Sequence, residues 1–148
     1  MHQKGGSKNV IEIHGSPQTH YCLRCPGIRV SFEEAAAVVR EGKMQGICKM
    51  PLCPKCGRVL KPAITFFGES LPAEALRAAV NESQKADLML VLGTSLTVFP
   101  AASMPEYVLR AGGEIVIVNN MPTPLDGKAA LHYDDLSTVF EKIKESMV

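Results

Sequence analysis

Two Cys-x-x-Cys pairs, Cys22 with Cys25 and Cys53 with Cys56, stand 27 residues apart and constrain this chain more than any other feature. Each pair can fold into a knuckle that presents two thiolates, and two knuckles complete a tetrahedral zinc site. Gly57 directly after the second pair, and Pro26 and Pro54 beside the ligands, suit tight knuckle turns. Four paired thiols could instead form disulfides, but those belong to exported chains. The opening stretch MHQKGGSKN lacks the apolar core of a signal peptide, so metal is favoured and a cytoplasmic location is expected. Residues 21–57 are therefore expected to form a small zinc-binding module.

Three other residues compete for the metal. Cys48 lies close by in CKMPLC, but Cys53 has the matched x-x partner, which leaves Cys48 as a spare thiol. His14 and His20 are ligand types too, yet four cysteines already fill the shell. A closed shell of four thiolates leaves no position for water, so the zinc is expected to hold structure rather than to catalyse.

A length of 148 residues suits one domain with a small insert. Lys and Arg number 16 against 15 Asp and Glu, and 46% of the residues are hydrophobic, which argues against disorder and against a strong field for nucleic acid. Residues 22–61 hold eight Lys and Arg against Glu33, Glu34 and Glu41, but Phe32 is the sole aromatic there on which a base could stack. No apolar run approaches the ~20 residues that a membrane-spanning helix needs.

The apolar pattern predicts a short strand at residues 10–13 that ends in His14, stopped by Gly15-Ser16-Pro17. From Ser31 a capping box with Glu34 opens a helix that Gly42 is expected to close. AITFFGE reads as a strand in which Phe66 and Phe67 point to opposite faces, one of them into the core. A helix follows, with Ser70 near its cap and Pro72 in its first turn. The continuous apolar runs DLMLVLG and EIVIVNN, joined by a helix that Gly112 and Gly113 close, predict a βαβ unit and so a parallel sheet. Asp134 is positioned to cap a final helix whose Leu136, Val139, Phe140 and Ile143 face the sheet.

Ligands of open α/β sheets bind outside the carboxyl ends of the strands. GTSLTVFP and NNMPTP both leave such ends and so share one edge. Gly93 allows close backbone approach, Thr94 and Ser95 offer hydroxyls to phosphate or ribose, and Asn119 offers an amide to ribose hydroxyls. Gly-Thr-Ser after a strand is also ordinary loop chemistry, so these residues alone carry a weak signal for a nucleotide.

In order, IEIHGS with the first Cys-x-x-Cys, CPKCGRVLKPAITFFGESLP, ADLMLVLGTSLTVFPAA and IVIVNNMPTPLD resemble the sirtuins, the NAD-dependent protein deacylases. The resemblance implies a Rossmann-like NAD-binding part formed by residues 1–20 and 58–148, with the zinc-ribbon module inserted. It implies that NAD is the cosubstrate, that zinc is structural and that an acylated-lysine protein or peptide is the substrate. His14 would be the general base, acting on a ribose hydroxyl after the acyl oxygen has displaced nicotinamide. Thr65, Phe67 and Val98 would line the acyl-lysine tunnel, and the backbone of Gly68 and Glu69 would pair with an extended peptide. Gly93, Thr94 and Ser95 would contact the NAD phosphates and ribose, and Asn119 with Asn120 the adenosine side.

The glycine-rich phosphate turn and the Asn-x-Asp motif with which the family's domain begins do not occur in this sequence. The resemblance therefore implies a domain that opens partway through at Met1, with about 90 residues of a typical domain ahead of it. On that expectation the strand at residues 87–92 has an unpaired edge and an uncovered face, and the chain self-associates through it. Two functions follow. One is deacylation; the other is a catalytically incomplete, zinc-stabilised module that binds a peptide or another subunit.

Overall fold

The computed structural model describes residues 2–147; Met1, at which the domain is expected to open, lies outside them. The chain divides into two compact units, residues 1–73 and 74–148.

The first unit is built on a three-stranded antiparallel sheet in the order β2-β1-β3, with β1 at Gly15–Tyr21, β2 at Arg29–Ser31 and β3 at Lys61–Ile64. Helix α1, Phe32–Met44, follows β2 directly. The expected capping box is present: the Ser31 hydroxyl accepts from Glu34 N–H at 3.2 Å, and the Glu34 carboxylate accepts from Ser31 N–H at 2.8 Å. Ser31→Ala should therefore cost about 1 kcal/mol of stability, read as a lower denaturation midpoint at unchanged cooperativity.

Three expectations for this unit are corrected. Residues 10–13 form no strand; the pairing begins after them at Gly15, because β2 and β3 supply partners for the polar run GSPQTHY. Gly42 does not end α1. It lies buried in the last turn, where a Cβ would stand 2.7 Å from the Lys49 backbone, so a close chain crossing demands it. The third strand stops at Ile64, so Phe66 and Phe67 do not alternate across a sheet, and neither is buried.

The second unit is a parallel sheet in the order β4-β5-β6, with β4 at Leu88–Leu92, β5 at Glu114–Val118 and β6 at Leu131–Tyr133. Helix α2, Ala73–Lys85, starts right after Pro72, and α3, Met104–Ala111, provides the crossover that makes the expected βαβ unit. Val91, Leu96, Ala102, Val108, Ile115, Ile117 and Leu125 form its core. Gly113 is required where the chain enters β5, since a Cβ there would lie 2.4 Å from the Ala86 carbonyl oxygen. Gly112 ends α3 in the left-handed conformation, at φ 91°.

Helix α4, Leu136–Ser146, is capped one residue later than expected: Asp135 rather than Asp134 accepts from Thr138 N–H, at 2.7 Å. Its apolar face looks toward the sheet across a cavity of about 510 Å³ lined by Leu90, Leu92, Leu131, Tyr133, Phe140 and Ile143, so it packs on the sheet only loosely. Strand β4 lies at the sheet's edge, and Leu88, Leu90 and Leu92 stay about half exposed while Val91 is buried. No helix among the described residues is long and apolar enough to cross a membrane.

Candidate metal centre and nucleotide crevice

In the first unit the four Sγ atoms of Cys22, Cys25, Cys53 and Cys56 all lie within 4.8 Å of one another. Zn–S bonds of about 2.3 Å in a tetrahedron place sulfurs about 3.8 Å apart, and Cys22 Sγ to Cys56 Sγ measures 3.6 Å. That is far beyond a disulfide bond of about 2.05 Å. Both knuckles close by backbone hydrogen bonds, from Ile28 N–H to the Cys25 carbonyl at 3.3 Å and from Gly57 N–H to the Cys53 carbonyl at 2.9 Å. Gly27 and Gly57 take φ values of 82° and 69°, as such turns require.

The donor set fits a dication. Burial works to raise the Cys22 thiol, but N–H groups of Arg24 and Cys25 and the neighbouring thiols outweigh it and hold the pKa at about 7. Burial pushes Cys25 up to about 12, reinforced by Cys56, Cys53 and Cys22. Four thiolates cannot coexist so closely without a cation. The cysteines are thus positioned to bind a structural zinc, while Cys48 is exposed and outside the cluster. His20 is not part of the cluster either; its Nδ1 is buried without a hydrogen-bond partner.

His14 sits in an exposed turn ahead of β1 rather than at a strand's carboxyl end, because Gly15 N–H bonds back to the Glu12 carbonyl at 2.9 Å. Its own carbonyl accepts from Thr65 N–H at 2.8 Å. The fold of this unit thereby ties His14 to the start of the segment that holds Thr65, Phe67, Gly68 and Glu69. Thr65 is half-buried, Phe67 is 98% exposed, and Gly68 is left-handed at φ 86°.

In the second unit the register pairs Leu92 with Val118, and Gly93 N–H continues the ladder to the Val118 carbonyl at 2.9 Å. Gly93 and Asn119 therefore leave the same edge from adjacent parallel strands. Gly93 is left-handed at φ 61°, and among the described residues only the Leu136 Cδ1 atom is near its open side, at 3.5 Å from an added Cβ. Thr94 Oγ1 accepts from Leu96 N–H at 3.3 Å, which leaves its O–H free to donate outward. Ser95 and Thr97 share a hydroxyl hydrogen bond of 2.9 Å. Asn119 is buried and spends one amide hydrogen on the Met121 carbonyl at 2.7 Å, so it shapes the loop, while Asn120 is exposed. Val98 is half-exposed on the loop beyond Thr97.

The sequence reading passed over two contributors. Strand β6 ends at this same edge, with the Tyr133 carbonyl accepting from Asn119 N–H at 2.9 Å. Three residues between Ala130 and Asp134 are too short an apolar signal to read as a strand. In the first unit, the signal for Lys61 was a cation inside an otherwise apolar run; its ammonium donates to the Ile64 carbonyl at 2.6 Å and to Glu69 Oε2 at 3.0 Å.

The arrangement in the second unit, three parallel strands of which β4 and β5 end in small, hydroxylated and amide residues at one edge, is that of a Rossmann-like sheet. The four-cysteine module of the first unit adds a structural zinc site to that class. The chain belongs to the Sir2 family, whose model matches residues 1–100. It is 45% identical over 134 residues to the NAD-dependent protein deacetylase of Thermotoga maritima, covering 90% of this chain and 52% of that protein. With NAD-dependent protein deacylase 1 of Caldanaerobacter subterraneus it shares 41% over 133 residues, covering 90% of this chain and 51% of the relative. Among solved structures, Sir2Tm bound to a propionylated peptide matches 98% of this chain and 59% of its own length, at 41% identity and a TM-score of 0.87. A Sir2 complex with a p53 peptide and NAD+ matches 98% of this chain and 58% of its own, at 42% identity and a TM-score of 0.85. The chain spans about half the length of the curated relatives it matches.

Proposed function

We propose that this chain carries the peptide-binding, zinc-stabilised part of an NAD-dependent protein deacylase, which moves an acyl group from lysine to the ADP-ribose of NAD and releases nicotinamide. The observation that carries the reading is the hydrogen bond between His14 and Thr65, which couples an exposed imidazole to the segment proposed to receive the acyl-lysine peptide. In this role His14 is the general base for a ribose hydroxyl, a task that an imidazole commonly performs. Thr65 and Phe67 contact the acyl-lysine side chain, and the main chain around Gly68 and Glu69 pairs with the peptide as an added strand. Gly93, Thr94 and Ser95 receive the phosphates and ribose of NAD, and Asn119 and Asn120 its adenosine side. Residues 1–20 and 58–148 make up the NAD-binding part and 21–57 the zinc-binding insert. A cytoplasmic location goes with this reading.

The test is nicotinamide release from NAD in the presence of an acetyl-lysine peptide, with zinc content measured alongside. Over many turnovers release should require the peptide and fall by about 100-fold or more in His14→Ala at unchanged zinc content, because a base that acts after nicotinamide has left is needed to complete each turnover. Multiple-turnover release that His14→Ala leaves intact would sink the assignment.

A second reading, a peptide- or subunit-binding module without turnover, is favoured by the half-exposed leucines along the edge strand β4, through which copies could associate. It expects peptide binding or self-association that His14→Ala does not alter, with no nicotinamide released.

A further inference from the structure

Beyond the half-buried Ile64 and Thr65, the segment from Phe66 to Glu69 has no buried apolar anchor. Phe67 is 98% exposed and Phe66 47% exposed, and the residues from Phe66 to Glu69 are all exposed. Such a stretch has no packing to fix its shape and would be expected to sample many conformations. Beyond the pairing of Ile64 with Gly15 and the Thr65 bond to His14, its order comes from two side chains, Lys61 and Glu69. Lys61, only 11% exposed, donates to the Ile64 carbonyl at 2.6 Å and to Glu69 Oε2 at 3.0 Å. The same Glu69 oxygen accepts from Phe66 N–H at 2.9 Å, and Glu69 N–H returns to the Phe66 carbonyl at 3.0 Å. The ammonium also stands 4.4 Å from the centre of the Phe66 ring and 5.8 Å from that of Tyr21.

We infer that Lys61 is a positioning residue: by clasping Ile64, Phe66 and Glu69 it holds the turn at residues 66–69 on which the proposed peptide site rests. This rests on the proposed function and names a residue that acts on its peptide site from behind. Removing an ammonium from water is costly, and a shielded ion pair returns little net stability, so the arrangement acts chiefly on local conformation. The direction is consistent at Glu69, whose carboxyl is held below the usual carboxylate range by the Phe66 N–H first and by Lys61 next. Above that range the clasp is fully charged, and it opens as the pH falls through the lowered value. On its other side the segment is bonded to His14 through Thr65 N–H, so the clasp also steadies the link to the proposed base.

The experiment compares the chain with Lys61→Met, Lys61→Arg and Glu69→Gln by amide hydrogen exchange and by fluorescence anisotropy with a labelled acetyl-lysine peptide, with zinc content as the check on folding. Lys61→Met is expected to keep its zinc, to exchange the Phe66 and Glu69 amides faster, and to raise the peptide Kd about tenfold. Lys61→Arg should restore most of both. Should Lys61→Met fail to hold zinc, Glu69→Gln decides, with a weaker effect in the same direction. Peptide affinity within twofold of the parent in a zinc-loaded Lys61→Met or Glu69→Gln chain would overturn the inference while leaving the proposed function standing. A parent chain that binds no acetyl-lysine peptide would bring down the function first, and the positioning role with it.

Discussion

Stripping the metal from this chain with a strong chelator at pH 7 is expected to unfold the module around the four cysteines, and Cys53→Ser should do the same without a chelator. Three of the four buried members of the small core around these residues are themselves cysteines, Cys22, Cys25 and Cys53, with Leu60 the fourth. Without a cation to bridge them, little apolar surface remains to offset the entropy of ordering the knuckles. Structural zinc in small modules supplies apparent binding free energies of about 10–16 kcal/mol, more than the whole stability of many domains. Zinc content by mass spectrometry and the helical signal of α1 by circular dichroism are the readouts. One zinc per chain is expected in the parent and in Cys48→Ser, and none in Cys53→Ser. A Cys53→Ser chain with a full zinc complement and an unchanged thermal midpoint would refute the four-thiolate site. Because Cys25 is pushed up to about 12, metal binding must expel a proton, so affinity should weaken as the pH falls.

The second large effect is expected at Gly15→Ala. Gly15 is left-handed at φ 74°, which costs an alanine about 1–2 kcal/mol before any contact is considered. The contact is worse: an added Cβ would lie 2.2 Å from the Ala63 carbonyl oxygen, a backbone atom that can move only if β1 and β3 part. Gly15 pairs with Ile64 in that sheet, and Thr65 N–H bonds to His14 next door. The substitution should therefore lower the denaturation midpoint by more than Ser31→Ala does, and it should also speed exchange of the Thr65 amide. An alanine variant as stable as the parent, with Thr65 still protected, would show that His14 is not held by this close crossing.

What the sequence made legible followed from signals that act locally. The Cys-x-x-Cys spacing, the Ser31–Glu34 capping box, the apolar runs of β4 and β5 and the terminal Gly112 each depend on neighbours within a few residues, and each is found where the pattern put it. The misreadings come from contacts distant in sequence. GSPQTHY has no strand pattern and becomes β1 only because β2 and β3 bracket it; VIEI has the pattern and no partner. Gly42 looked like a helix stop, but its reason lies at Ile47 and Lys49, which pass too near for a side chain. At the candidate site, the strand-end cluster of Gly93 and Asn119 was readable because parallel strands fix which loops share an edge. The grip of Lys61 was not, since nothing in a linear pattern says that a lysine three residues before Ile64 will bond to its carbonyl.

Phe67 illustrates how such a frame leaves room for divergence. With 98% of its surface in solvent, the ring packs against almost nothing, so most side chains could replace it with little penalty to folding. The neighbouring backbone is anchored elsewhere, through Lys61, Glu69 and His14. Substitution at this position is thereby expected to leave the fold intact, so recognition chemistry can change at one exposed residue while the surrounding turn stays as it was.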